Sequence, residues 1–389
     1  MTSFHSSRTP STHRARLTRR DALWAFALLL LGRCAANADE TFHFDELDAE
    51  LSPSLEALAA RQNEDGSFGA ETELFGRDPG VAGLCGLAFL ASGSAPGRGR
   101  FGRAIALAVD FVLAHSTRDA EGTDSSALEA FPGLSEYLRA NEFTRSDLDG
   151  LVANYQEKGR KPLYGHGFAT LFLAETLGTT SRSEHRERLT AAVRLIERTQ
   201  NSEGGWRYEP KRVEAADLSV TTCQLTALRA AKNAGVRVQT GTIERGLDFV
   251  RSLQNSDGGF RYMSSPGPSG YGRTAAAICA LQSGGAESDE TIARGFEYME
   301  TIYPGSSQER PSVEYLRYAM FYASLAYWRA SAVAPKGRSR EFYERLRRDT
   351  LAQRGSDMLW SSNTSTDSDT AFAILSLAIP REGAPFFLR

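Results

Sequence analysis

Several residues of this chain have the type and spacing that acid–base or ligand-binding chemistry needs. Asp217, Thr221 and Gln224 recur at i, i+4 and i+7, one face of an otherwise apolar segment. His166 and Thr170 repeat the i, i+4 spacing, and His166 stands between Gly165 and Gly167. Histidine is the easiest acid or base near neutral pH, and flanking glycines permit a close backbone approach. Asp367 and Asp369 open another apolar segment, and Glu314, Arg317 and Tyr318 share a face of the one before it. These residues make His166, Asp217 and Asp369 the candidate catalytic groups. Tyr164, Tyr208, Gln224, Tyr262, Tyr271 and Glu314 are the candidate ligand contacts. Each acid also has a plainer reading as a helix N-cap or first-turn residue, and His166 as a satisfied buried imidazole.

The elements that position them are helices. Six small-residue-rich apolar segments recur: Gly80–Ala91, Gly165–Leu177, Asp217–Ala231, Gly270–Gln282, Pro311–Ala330 and Asp367–Ala378. They alternate with six amphipathic, charged segments: Phe44–Arg61, Phe101–His115, Glu184–Thr199, Thr242–Leu253, Asp289–Tyr303 and Arg340–Ala352. None shows the period-two alternation of a strand. Between the pairs lies a recurring turn: Gln62 to Phe68, Gln200 to Trp206 and Gln254 to Phe260, each with Gly four residues after the Gln and an aromatic two further on. A worn copy runs from Gln353 to Trp360. A repeat of roughly fifty residues marks stacked helical hairpins. An open solenoid needs polar end caps, and the last apolar segment is as apolar as the middle ones. The expected fold is therefore all-α, a closed α/α toroid (an α6/α6 barrel) of six outer–inner helix pairs. The first two inner segments start 85 residues apart, so an insertion at about 117–162 is expected. Two short helices are expected in it, Ser126–Leu138 and Arg145–Glu157.

The N-terminus reads as an address. Arg14, Arg16, Arg19 and Arg20 precede an apolar run from Ala22 to Gly32, and Ala36-Asn37-Ala38 is a small-x-small cleavage pattern. Thr18-Arg19-Arg20-Asp21-Ala22-Leu23 fits the twin-arginine pattern. Residues 1–38 are expected to be a signal peptide, with residues 39–389 a single exported domain, periplasmic or extracellular. Cleavage removes six arginines and Asp21, taking 45 basic and 48 acidic residues to 39 and 47, a net charge of −8. That balance argues against a nucleic-acid partner. The apolar run is too short to span a bilayer, so no transmembrane span is expected in the mature chain. Its three cysteines, Cys85, Cys223 and Cys279, sit in apolar surroundings and are expected to be buried and inert.

The Gln-x-x-x-Gly-x-aromatic turns resemble the repeats of squalene cyclases and protein prenyltransferase β subunits, which share an α/α toroid. The resemblance covers roughly residues 44 to 380. It is closer to exported bacterial proteins described by prenyltransferase and squalene-oxidase repeats, through Tyr164-Gly-His-Gly, Gly204-Gly-Trp-Arg-Tyr208 and Asp217-Leu-Ser-Val-Thr. The resemblance implies an inner cavity whose mouth collects the inner-helix N-termini. Squalene cyclases protonate an alkene with the central Asp of Asp-x-Asp-Asp-Thr-Ala. Aligned on Asp369-Thr370-Ala371, that position here is Ser368. The prenyltransferase zinc set, an Asp-x-Cys with a later His, has no match, and no metal or cofactor is expected. Three classes of function follow. The first is an exported protein that binds an apolar, isoprenoid-like or polymeric ligand. The second is an acid–base enzyme, terpenoid cyclase-like or acting on a polysaccharide, that uses His166 and Asp217. The third is a scaffold for a protein partner.

Overall fold

A computed structural model of the chain describes residues 44–70, 75–117, 133–154, 162–285, 290–303, 315–330, 338–362 and 365–380. The expected signal peptide lies outside the described residues, as does Glu314.

The described chain is helical throughout, with only isolated bridges between turns. The outer helices are α1 (Phe44–Ala60), α3 (Gly102–Ala114), α6 (His185–Thr199), α8 (Thr242–Ser252), α10 (Glu290–Thr301) and α12 (Arg338–Leu351). The inner helices are α2 (Pro79–Leu90), α5 (Pro162–Thr176), α7 (Leu218–Asn233), α9 (Tyr271–Ser283), α11 (Leu316–Ala330) and α13 (Thr366–Ala378). One further helix, α4 (Leu134–Asn141), belongs to the insertion. Each inner helix packs on the next, and α13 packs back onto α2, so the ring closes. The toroid expected from the sequence is the fold observed.

Composition explains the two layers. Every residue of α2 from Pro79 to Phe89 is buried, as a helix with neighbours on all sides requires. Asp78 starts it by accepting from the Gly80 and Val81 N–H groups, with Pro79 in the first turn. Small residues let inner helices approach backbone to backbone: a Cβ on Gly80 would lie 2.4 Å from Gly165 Cα. Outer helices bury one face only. In α8, Ile243, Leu247 and Val250 face inward while Glu244 and Asp248 stay in water. Charge pairs across the seam join the two ends of the ring. Arg347 grips Glu50 through two bonds of 2.8 and 3.0 Å, and Arg61 pairs with the buried Asp367.

The insertion departs from expectation. Residues 133–154 hold α4, a 3-10 turn at Ser146–Leu148, then an extended stretch in which Val152 bridges to Ser116. The helix expected over Arg145–Glu157 does not form where the chain is described. Gly150 takes φ +82° and lies against α6 so closely that a Cβ would sit 2.1 Å from the Ala191 carbonyl. A left-handed residue at that contact ends any helix. The helix expected over Ser126–Leu138 falls partly outside the described residues, and α4 begins only at Leu134. Cys85, Cys223 and Cys279 are free and buried. Burial pushes the Cys223 and Cys279 thiols up to about 12, so neither is a thiolate at neutral pH.

Candidate functional site

The recurring turn is a joint with four working parts. The Gln amide donates to its own turn's Gly carbonyl and to a first-turn carbonyl of the next outer helix. Gln62 reaches Gly66 and Ala104, Gln200 reaches Gly204 and Thr242, and Gln254 reaches Gly258 and Thr291, all between 2.7 and 3.1 Å. The Gly is left-handed because the next outer helix leaves no room. A Cβ on Gly66, Gly204 or Gly258 would meet a backbone carbonyl oxygen at 2.1 to 2.5 Å. The aromatic is buried, and its backbone N–H donates to a threonine hydroxyl on the following inner helix. Trp206 uses Thr221, Phe260 uses Thr274 and Trp360 uses Thr370, each at 3.0 Å.

His166 is that threonine's counterpart in the second pair. Gly150 stands where Gly204 stands, and Val152, two residues on, donates its N–H to His166 Nδ1 at 3.1 Å. The other ring nitrogen therefore carries the proton and donates to the Ala192 carbonyl of α6 at 3.3 Å. Burial depresses the imidazole pKa to about 3. With both nitrogens spent on backbone and no solvent exposure, His166 positions the fold. That geometry favours the plainer of its two readings, a satisfied buried imidazole, over the acid–base one. Its ring nitrogens meet Val152 and Ala192 rather than Asp217.

Asp217 is placed differently. It caps α7, with Oδ1 accepting from Val220 N–H at 2.9 Å. Oδ2 is buried and has no hydrogen-bond partner among the described residues. Burial raises this carboxyl to about 6, although Arg207 and an approach by Tyr262 pull the other way. Around it the structure gathers three of the expected ligand contacts. Tyr208 and Tyr262 touch hydroxyl to hydroxyl. Their carbonyls accept from Leu163 and Leu218, each at 3.0 Å, tying each turn to the start of the preceding inner helix. The Tyr164 hydroxyl is raised by burial and by the charges of Tyr208, Tyr318 and Asp217. Tyr164, Tyr208 and Tyr262 all keep part of their surface open to solvent.

Beneath this mouth the axis is aromatic. Tyr164 packs on Phe168 (ring centroids 5.6 Å) and on Tyr318 (6.3 Å), and Phe372 meets Phe168 at 5.6 Å and Phe321 at 5.4 Å. Tyr318 meets Tyr322 at 4.7 Å with the rings tilted by 60°. A small cavity of about 20 Å³ lies among Phe168, Cys223, Phe321 and Tyr322 and reaches toward Arg229 and Arg329, near the C-terminal ends of α7 and α11. Phe168, Tyr322 and Phe372 were not among the expected site residues, and Tyr318 entered only as sharing a face with Glu314 and Arg317. Their signal was available: Tyr164 and Phe168, and Tyr318 and Tyr322, are aromatic pairs at i, i+4 on their inner helices.

The remaining candidates lie elsewhere. Gln224 donates to the Leu163 carbonyl at 2.6 Å and so staples α7 to α5. Tyr271 packs edge-on against Tyr303 at 6.2 Å, on the side of the outer layer. Asp369 sits on α13 near Ser362 and Arg317. Its Oδ2 has no partner among the described residues, and burial raises its pKa. Ser368, at the cyclase acid position, donates to the Ser365 carbonyl at 3.2 Å. No group of three or more His, Cys, Asp or Glu converges as metal ligands among the described residues.

Fold and site together define a terpenoid-cyclase-like α/α toroid with an aromatic axis. Comparison with known proteins agrees. Residues 168–311 match the squalene-hopene cyclase C-terminal domain. A drimenyl diphosphate synthase from Streptomyces showdoensis is 26% identical over 230 residues, 54% of this chain. The match spans only 41% of that relative's length. Among solved structures, the type II terpene cyclase MstE from Scytonema superposes with a TM-score of 0.54 at 15% identity, covering 88% of this chain and 99% of that one. A D-mannose isomerase gives 0.55 at 12% identity, covering 88% and 99%. A glycoside hydrolase family 76 mannosidase from Bacteroides thetaiotaomicron gives 0.56 at 9% identity, covering 86% and 98%. Likeness at these identities is likeness of fold.

Proposed function

We propose that this toroid binds an apolar, isoprenoid-like ligand, entering at the tyrosine-lined mouth and running along the aromatic axis. The observation that carries this reading is the continuous aromatic contact from Tyr164 through Phe168, Tyr318 and Phe372 to Phe321. Such walls suit a hydrocarbon and offer a polymeric sugar few hydrogen bonds. The drimenyl diphosphate synthase match supports it, as does the binding of geranylgeranyl dihydroxybenzoate by MstE. Small molecules extracted from the purified protein should include a stoichiometric isoprenoid. Added geranylgeraniol should raise the unfolding midpoint, since saturation a hundredfold above Kd stabilises by about 2.7 kcal/mol. An empty protein that geranylgeraniol does not stabilise, and mannose does, would refute the reading.

A second reading makes Asp217 an acid–base catalyst, favoured by its unpartnered oxygen and raised pKa. A carboxyl at about 6 rather than 3.8 is a weaker acid by about 3 kcal/mol. That disfavours alkene protonation and suits proton transfer to oxygen. Export is proposed from residues 1–38. Its test is the N-terminal mass of protein recovered outside the cytoplasm, expected to begin at Asp39.

A further inference from the structure

We propose that Phe168 and Phe372 form a floor across the bore of the toroid and set the chain length of the isoprenoid that the mouth admits. The inference rests on the isoprenoid reading above and adds how long a chain the site takes. The inner helices follow one another around the ring as α2, α5, α7, α9, α11 and α13, and α13 returns to α2. Helix α5 therefore stands opposite α11, and α2 stands between α5 and α13. Rings meet across both gaps. Tyr164 of α5 and Tyr318 of α11 have centroids 6.3 Å apart, and Phe168 of α5 and Phe372 of α13 have centroids 5.6 Å apart. Contacts between inner helices that are not neighbours cross the bore, so each pair closes it.

The two closures lie at different depths. Tyr164 and Tyr318 are the third residues of their helices, whereas Phe168 and Phe372 are the seventh of theirs. Four residues amount to about 6 Å along a helix, so the phenylalanines lie one turn beneath the tyrosines. Tyr164 is partly open to solvent and has room to turn aside. Phe372 is hemmed in by Phe168, by Tyr318 at 6.1 Å and by Phe321 at 5.4 Å. Below this layer, Phe168 and Phe321 line the cavity of about 20 Å³. Such a space holds about one water molecule, so a hydrocarbon chain that reaches the floor has nowhere to continue. Trimming either ring of the floor joins the mouth to that cavity and lengthens the path.

Native mass spectrometry of the whole chain with equal concentrations of geraniol and geranylgeraniol tests the assignment. Phe372→Ala and Phe168→Ala should each raise the geranylgeraniol-to-geraniol occupancy ratio at least about tenfold over wild type. That is the effect of burying about two more methylene groups. Phe372→Leu and Phe168→Leu remove less volume and serve where an alanine variant does not fold. They should move the ratio in the same direction. Phe89→Leu controls for a loosened core, because its ring stacks on Phe101 at 5.4 Å, toward the outer layer. It should leave the ratio unchanged. A ratio that stays at the wild-type value in the floor variants, or that rises equally in Phe89→Leu, overturns the floor assignment alone. If neither wild type nor any variant retains either alcohol, the isoprenoid reading falls and this assignment with it.

Discussion

Replacing His166 separates a structural imidazole from a catalytic one. The ring is fully buried, accepting from Val152 N–H at 3.1 Å and donating to the Ala192 carbonyl at 3.3 Å. His166→Ala leaves the Val152 amide unpaired, about 1–3 kcal/mol, and opens a cavity costing about 2–5 kcal/mol. A loss of about 3–8 kcal/mol is a large share of the ~5–15 kcal/mol that holds a typical domain together. His166→Gln, which keeps an acceptor, guards against outright unfolding. The pH dependence gives a sharper signature. The folded pKa of about 3 lies below the ordinary 6.5, so the stabilisation is complete above 6.5 and is lost as pH falls toward 3. At about 1.36 kcal/mol per unit, the shift corresponds to about 5 kcal/mol at most. Urea unfolding followed by circular dichroism from pH 7 to pH 4 should show the wild type losing that component and His166→Gln lacking it. Geranylgeraniol affinity at pH 7 should change less than about twofold in the Gln variant, because neither ring nitrogen faces the mouth. A wild-type-minus-variant difference that stays constant from pH 7 to pH 4 would refute the reasoning, since every other titrating group contributes alike to both proteins. So would a well-folded variant that no longer binds, which would return His166 to the functional site.

Asp217→Asn tests the opposite sign. Its carboxyl is raised to about 6 in the folded chain, so its own contribution to stability is lost as pH rises from about 4 through 6, opposite in sign to that of His166. The variant should lose that slope in the same urea series, and a slope that persists would place the buried charge elsewhere. Gly204→Ala should destabilise by more than about 2 kcal/mol, because the residue has φ +92° and its Cβ would lie 2.4 Å from the Arg245 carbonyl. Thermal unfolding measures it, and a neutral result would mean the joint can open without loss. Arg61→Ala strands the Asp367 carboxylate, which is only 2% exposed. The expected cost is about 3–5 kcal/mol. Adding Asp367→Asn should recover most of it, and a double variant no better than the single would show that the pair does not close the ring.

Much of the architecture was legible in the residues. All-apolar segments alternating with amphipathic ones can only be inner and outer helices, and the Gln-Gly-aromatic turn marks each joint. The joint's fourth part was less visible. Thr221, Thr274 and Thr370 stand at equivalent places on their inner helices, yet nothing in the alphabet says that a threonine hydroxyl holds a distant backbone amide. The same gap misdirected His166, which looked chemical between its glycines and instead fills a threonine's place. The helix expected from Arg145 failed because Gly150 is held left-handed by a contact with α6, which is remote in sequence.

The sequence by itself determined the period, the two classes of helix and the ring they close, because those follow from burial and local backbone preference. Only the tertiary structure decided which polar residues matter at the mouth. Asp217, Asp369 and Gln224 are all buried acids or amides near inner-helix starts, and their types do not distinguish them. Gln224 staples two helices, Asp369 sits near Arg317, and Asp217 caps α7 with Tyr262 approaching it. A side chain's chemistry is set by what stands opposite it. In a toroid, those neighbours come from helices some fifty or more residues away along the chain.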